Sequence, residues 1–144
     1  AVKQFLYSLN YETIDVGSHS TENVDYPVYA YRVGELVSTG KVAKGILICA
    51  TGIGMSIAVN RLPGVRGALC DNTFTASLSR QHNNSNVLVL GARVTAKDLA
   101  LEIVKVWLDT PFCGGRHSRR IDMIEQLRIR LGLDDGKESD RNRS

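Results

Sequence analysis

Residues 45–58, GILICATGIGMSIA, hold the residue types best suited to chemistry, because an apolar run ends at Cys49 and a glycine-rich stretch follows. Glycine at the end of a buried strand lets backbone amides face a ligand, and a following helix N-terminus adds partial positive charge. Such surroundings favour the thiolate form of a cysteine, which is the form that acts as a base. The pattern indicates an anion site beside Cys49. The alternative is a cysteine that is simply buried in a strand.

This segment lacks the signatures of the common phosphate-binding loops. It has neither the Lys-Ser/Thr pair of a P-loop nor the third glycine of a dinucleotide fingerprint. Met55 stands where a cysteine phosphatase would need arginine. The sequence therefore supports neither nucleotide binding nor phosphoryl transfer, and Cys49 is interpreted as a candidate base.

Two further segments carry an imidazole and a cluster of guanidinium groups. In residues 79–84, SRQHNN, His82 could exchange protons near neutral pH, although helix capping is the alternative. In residues 114–120, GGRHSRR, Arg116 and Arg120 share one helix face and could hold a phosphate, or simply form a solvated basic helix end. Nucleic acid is not favoured, because no aromatic residues are interleaved and no known motif accompanies the arginines.

These segments lie in a chain of alternating strands and helices, which indicates an α/β domain with a parallel sheet. The apolar patterns predict strands at 11–16, 45–50, 66–70 and 86–90, and helices at 1–9, 27–37, 54–60, 73–81, 96–108 and 119–131. Thr95 is placed to cap the fifth of these helices. We expect residues 1–131 to form one domain and residues 132–144 to be a disordered polar tail.

Composition narrows the class of protein. The chain has 144 residues, 43% hydrophobic and 23% charged, which is typical of a single globular domain. Its apolar runs are too short to cross a bilayer, so we expect no membrane association. Three widely spaced cysteines form no zinc motif and favour a reducing, cytoplasmic setting.

Four segments together resemble ribose-5-phosphate isomerase type B, in the sugar-phosphate isomerase family that includes the galactose-6-phosphate isomerase subunits. They are DYPVYA at 25–30, GILICATGIGMSIAVNR at 45–61, LSRQHNNSNVLVLGAR at 78–93 and GGRHSRR at 114–120. The resemblance implies a three-layer α/β/α, Rossmann-like (flavodoxin-like) parallel sheet with strand order 2-1-3-4-5. It also implies isomerisation of ribose 5-phosphate to ribulose 5-phosphate through an enediolate, as in the pentose phosphate pathway, with no metal or organic cofactor.

The resemblance also assigns roles to individual residues. It makes Cys49 the base, Thr51 its hydrogen-bonding neighbour and His82 the group that opens the sugar ring. The residues expected to bind substrate are Tyr26, Gly52, Ile53, Gly54, Met55, Ser56, Asn83, Arg93, Arg116 and Arg120. The family pattern implies a homodimer or tetramer with shared active sites, in which His82, Asn83 and Arg93 reach a site on the neighbouring subunit and Arg116 and Arg120 belong with Cys49.

The sequence departs from the family at its start. Family members begin with a strand that ends in an Asp-His pair, and no such strand stands ahead of the one predicted at 11–16. We therefore expect the natural polypeptide to begin earlier. Two other functions stay open: isomerisation of a six-carbon substrate, allose 6-phosphate or galactose 6-phosphate, and an inactive phosphosugar-binding homologue. The presence of both Cys49 and His82 argues against the second.

Overall fold

The computed structural model describes residues 1–132, in which six helices surround a three-stranded parallel sheet. The strands are β1 (Gly45–Cys49), β2 (Gly67–Leu69) and β3 (Val87–Gly91), and the helices are α1 (Val2–Ser8), α2 (Tyr26–Ser38), α3 (Ile53–Val59), α4 (Thr73–Asn83), α5 (Lys97–Asp109) and α6 (Arg116–Arg130). The tail predicted at 132–144 lies, from residue 133 onward, outside the described residues.

The central strand β3 divides the core into two halves, because successive side chains of a strand point to opposite faces. Val87 and Val89 pack with residues of α2 and α3, whereas Leu88 and Leu90 pack with residues of α4 and α5. Trp107 of α5 is fully buried in the second half, where its indole N–H donates to the Ser85 hydroxyl at 2.7 Å. The predicted three-layer α/β/α arrangement is confirmed.

The strand order differs from the expected one. The order is β1-β3-β2, so the last strand in the chain lies between the other two. The flavodoxin-like order would have kept the three strands in chain order across the sheet, and that prediction is wrong. The physical reason is burial: all five residues of β3 are buried, whereas β2 has three residues, none of them fully buried, and suits an edge.

The strand predicted at 11–16 does not form in the described part of the chain. The segment is irregular, because no strand lies beside it to supply hydrogen-bond partners. Between it and the open edge of β1 runs a groove of about 700 Å³. An exposed ion pair from Lys3 to Asp15, at 3.1 Å, links the segment to α1.

The predicted helices form, but the cap on α5 does not. That helix begins at Lys97 and its N-cap is Ala96, so Thr95 lies one residue too early to cap it. The Thr95 side chain is buried instead, and its hydroxyl has no hydrogen-bond partner within residues 1–132. No helix in this part of the chain is both long and apolar enough to span a bilayer.

Candidate active site

Cys49 lies at the carboxyl edge of the sheet, where the chain leaves two neighbouring strands in opposite directions. After β1 the chain enters α3 on one face, and after β3 it enters α5 on the other. Such a switch point opens a crevice in which α/β proteins bind ligands. Arg93 faces the same crevice with its backbone, because its N–H donates to the Ala50 carbonyl at 2.9 Å.

The loop after Cys49 places one backbone donor against its thiol and a second against the Thr51 hydroxyl. The N–H of Gly52 donates to Cys49 Sγ at 3.1 Å, and the N–H of Ile53 donates to the Thr51 hydroxyl at 3.3 Å. Gly52 has φ 79°, in the left-handed region, and a Cβ there would lie 2.5 Å from a methyl carbon of Leu69. Only glycine therefore permits this loop, and the loop in turn holds a backbone donor against the Cys49 sulfur.

The first turn of α3 supplies further donors to the crevice. The N–H groups of Ile53, Gly54 and Met55 have no carbonyl four residues earlier within the helix, as at every helix start. Ser56 differs, because its N–H donates to the Gly52 carbonyl at 3.0 Å. The predicted use of the Ser56 amide as a ligand donor is therefore not supported, and its hydroxyl is the group left for that role.

Tyr26 closes one side of the crevice. It is the first residue of α2, and its ring lies directly against Gly54, where a Cβ would sit 2.5 Å from the phenol oxygen. The ring is 43% exposed, so it is supported by the loop and open to a ligand. The structure thus brings Tyr26 to the Cys49 loop, and its expected contact with the sugar stays a prediction.

Gly91, at the end of β3, supports the Cys49 loop from below. A Cβ at this position would lie 2.5 Å from the Thr51 carbonyl oxygen and 2.6 Å from its carbonyl carbon. We expect Gly91→Ala to displace the loop and to lower kcat for the sugar-phosphate isomerisation proposed below by about 10²-fold. An effect of this size is typical when a reactive group is misplaced by about 1 Å. Steady-state kinetics beside circular dichroism will check this, with Gly17→Ala in an exposed segment as control. An unchanged kcat in a folded variant would contradict it.

His82 lies at the opposite edge of the sheet. Helix α4 runs back from the end of β2 to the start of β3, so its last turn reaches the amino edge. There Arg66, just before β2, donates through Nε to the carbonyls of Asn83 and Asn84, both at 3.1 Å. Asn84, with φ 45°, is the C-cap of α4, so capping does not account for His82.

The start of α6 packs against His82. The rings of His82 and His117 are stacked, with centroids 4.3 Å apart and planes 10° apart. Burial lowers the pKa of His117, and the neighbouring His82, Arg116 and Arg120 lower it further. The two arginines therefore lie around the same imidazole pair, so they belong with His82.

The predicted site residues thus form two groups in one chain. The cysteine half-site contains Cys49, Thr51, the amides of the glycine loop, Tyr26 and the backbone of Arg93; the histidine half-site contains His82, Asn83, Arg116 and Arg120. They are separated by the length of β3, five residues or roughly 16 Å at about 3.3 Å per residue. The expected grouping of Arg93 with His82, and of Arg116 with Cys49, is not what the backbone shows.

Two residues of these half-sites were missed by the sequence reasoning. Gly91 carries a recognisable signal, because a glycine directly after the apolar run at 87–90 marks a close backbone approach. His117 stands in the GGRHSRR segment, but nothing in the spacing places it on His82. Within residues 1–132, no group of three or more His, Cys, Asp or Glu side chains is arranged to hold a metal ion.

Comparison with known proteins is consistent with this geometry. A family model described as Ribose/Galactose Isomerase matches residues 1–124. Ribose-5-phosphate isomerase B of Escherichia coli is 47% identical over 119 residues, which are 83% of this chain and 80% of that protein.

Solved structures agree with the sequence comparisons. A ribose-5-phosphate isomerase B from Clostridium thermocellum superimposes with a TM-score of 0.89 at 46% identity, covering 90% of this chain and 88% of that one. The enzyme from Mycoplasma genitalium, solved with bound ribulose 5-phosphate, has a TM-score of 0.86 at 38% identity, covering 89% and 86%. The likeness extends over nearly the whole described fold.

Proposed function

This chain belongs to the ribose/galactose isomerase family, and from that premise we propose that it interconverts ribose 5-phosphate and ribulose 5-phosphate. The observation that carries the proposal is the Cys49 loop, in which an amide 3.1 Å from the sulfur and the open first turn of α3 lie at the switch point of the sheet. A base beside several backbone donors is the arrangement that an enediolate reaction needs.

In the proposed reaction Cys49 moves one proton between two carbons. Its thiolate takes the proton from C2 of the open-chain aldose, and the electron pair shifts onto the carbonyl oxygen at C1 to give the enediolate. The N–H groups of Gly54 and Met55 stabilise the negative oxygen, where each donor fixed in advance contributes about 3–4 kcal/mol. The thiol then returns the proton to C1 while the hydroxyl proton on O2 passes to the O1 oxygen, which leaves the carbonyl at C2 and gives the ketose. Thr51 holds the loop by accepting the Ile53 N–H.

The histidine half-site supplies ring opening and phosphate binding. His82 takes the proton of the anomeric hydroxyl and returns a proton to the ring oxygen, which frees the aldehyde. Asn83, which is exposed beside it, binds sugar hydroxyls. Arg116 and Arg120 bind the phosphate, because guanidinium groups pair with phosphate oxygens through charge-assisted hydrogen bonds. Arg93, which belongs to the cysteine half-site, is the third arginine expected to bind the phosphate.

The two half-sites can meet only if a second copy of the chain supplies one of them. We therefore propose a homodimer in which the cysteine half-site of one subunit faces the histidine half-site of the other. Helix α6 offers a surface for this contact, since it has no buried residue of its own. Its exposed apolar side chains are those of Met123, Ile124, Leu127, Ile129 and Leu131. Apolar stripes of this size on a helix are typical of subunit interfaces.

Substrate specificity is tested by direct comparison of sugar phosphates. We expect kcat/KM for ribose 5-phosphate to exceed that for allose 6-phosphate and galactose 6-phosphate. One observation favours the second candidate, a six-carbon substrate: the family model that matches this chain covers isomerases of galactose as well as of ribose. A higher kcat/KM for either hexose phosphate would make that sugar phosphate the substrate in place of ribose 5-phosphate. Binding without turnover of any of the three would make the chain a phosphosugar-binding homologue.

Phosphate binding by Arg116 gives a separate prediction. Loss of a charge-assisted bidentate contact costs about 1.5–3 kcal/mol, so we expect Arg116→Ala to raise KM for ribose 5-phosphate by about 10- to 150-fold. The kcat value should change far less, because the phosphate does not react. Arg130→Ala, at the other end of α6, is the matched control. An unchanged KM in the Arg116 variant would show that Arg116 does not bind the phosphate and is simply part of a solvated basic helix end.

A further inference from the structure

His117 takes no part in the mechanism above, yet it touches the group proposed to open the sugar ring. Its imidazole lies 4.3 Å from that of His82, centroid to centroid, with 10° between the planes. The two rings are therefore in face-to-face contact rather than edge to edge. The contact joins α4 to α6, two elements far apart in the sequence.

Face-to-face contact suits an acid-base group. The torsion that turns a histidine ring is broad, so the ring plane is weakly fixed by its own chain. A hydrogen bond to a ring nitrogen would fix it but would occupy one of the two atoms that exchange protons. A stacked ring fixes the plane and leaves both nitrogens free at the ring edge.

The chain builds this stack with several constraints. Gly114 and Gly115 both adopt positive φ, 63° and 58°, and so turn the chain into α6. The N–H of Cys113 donates to the Gln81 carbonyl at 3.0 Å, one residue before His82. Further along, Glu125 of α6 forms an ion pair with Arg66 at 3.0 Å. The contact of Cys113 with Gln81, just before α6, and the ion pair of Glu125 with Arg66 thus fix the position of α6, and with it the position of His117 against His82.

We propose that His117 is a positioning residue for His82, holding the ring-opening imidazole in its working plane. The proposal rests on the proposed function of His82. The charged and titratable groups around His117 are His82 on α4 and Arg116 and Arg120 on its own helix. All three disfavour a charge on His117, and burial, the largest cause, lowers its pKa as well. The ring stacked on His82 therefore favours its uncharged form.

Two substitutions separate stacking from ionisation. His117→Phe keeps a flat ring without titratable nitrogens, and His117→Leu removes the ring. We expect kcat for ribose 5-phosphate to fall about tenfold in the Leu variant, as for a misplaced catalytic group, and to stay within about threefold of wild type in the Phe variant. Exchange of the C1 proton of ribulose 5-phosphate with solvent deuterium needs no ring opening, so it should be unchanged in both. His19→Phe, in an exposed loop, controls for the loss of a histidine.

Nuclear magnetic resonance tests the stack without relying on activity. The Cε1–H signal of His82 should be shifted by the ring current of its neighbour in wild type and in His117→Phe, and should move in His117→Leu. Equal loss of kcat in both variants, a fall in C1 exchange, or a rise in KM with kcat unchanged would overturn the positioning role. If His82→Ala opens the sugar ring as well as wild type does, the proposed function of His82 fails, whereas the resonance still reports whether the rings stack.

Discussion

Cys49→Ala should lower kcat for the isomerisation of ribose 5-phosphate by about 10²–10⁴-fold or more, because it removes the proposed base of the proton transfer. The substitution deletes one sulfur from a half-buried position, and within the described residues that sulfur accepts a hydrogen bond from the Gly52 N–H alone. The fold and the affinity for the phosphosugar should therefore be nearly unchanged. Turnover is followed by the appearance of ribulose 5-phosphate, and binding by calorimetry.

Solvent exchange shows which step is lost. Cys49→Ala should abolish deuterium incorporation at C1 of ribulose 5-phosphate, whereas His82→Ala should retain it, because only the first residue handles the carbon-bound proton. Cys113→Ala is the control, since this cysteine is exposed in the loop before α6 and should be kinetically silent. Turnover like that of wild type in Cys49→Ala would show that another group is the base, and equal loss of exchange in both variants would place His82 in the proton transfer.

The sequence predicts the elements well because their signals are local. The apolar runs at 45–50, 66–70 and 86–90 become β1, β2 and β3, and the glycines after Cys49 mark the loop that surrounds its sulfur. The strand at 11–16 fails for a non-local reason. Its aromatic and β-branched residues favour an extended chain, but a strand also needs a neighbour to pair with. Local pattern cannot supply that neighbour.

The strand order had a signal that the resemblance obscured. Residues 87–90, Val-Leu-Val-Leu, are entirely apolar, which is what a strand covered on both faces requires, but residues 46–50 are apolar throughout as well. The shorter β2 has the weaker pattern of an edge. Ranking the runs by apolar content would therefore have placed β2 at an edge, but it would not have shown which of β1 and β3 lies in the middle.

The division of the site was also partly readable from the sequence. In a parallel α/β sheet every helix returns the chain to the amino edge, so a histidine at the end of α4 cannot lie beside a cysteine at the end of β1. Which of the arginines accompanies each residue was not readable. Arg116 reaches the His82 edge because the chain turns through Gly114 and Gly115 after leaving α5, and that path is set by packing in three dimensions.

If each active site is built from two chains, mixing two inactive variants should restore activity, which a site within one chain could not do. Cys49→Ala and His82→Ala are each inactive as homodimers, but a mixed dimer contains one site with Cys49 from one chain and His82 from the other. Random exchange makes half of the dimers mixed, and each has one intact site of two, so about a quarter of wild-type activity per subunit should return. Native mass spectrometry establishes the exchange, and the initial rate with ribose 5-phosphate measures the recovery.

Charge-reversed Arg116→Glu then tests which half-site holds this arginine. Because His117 stacks on His82, the neighbouring Arg116 should act in the same half-site, and from the same subunit, as His82. Mixing Arg116→Glu with Cys49→Ala should therefore restore activity, whereas mixing it with His82→Ala should not, since both defects then lie in histidine half-sites. The opposite result would group Arg116 with Cys49, as the family pattern first implied. No recovery in any mixture, with exchange established by mass, would place the whole site within one chain and require residues of α4 and β1 to meet around the sheet.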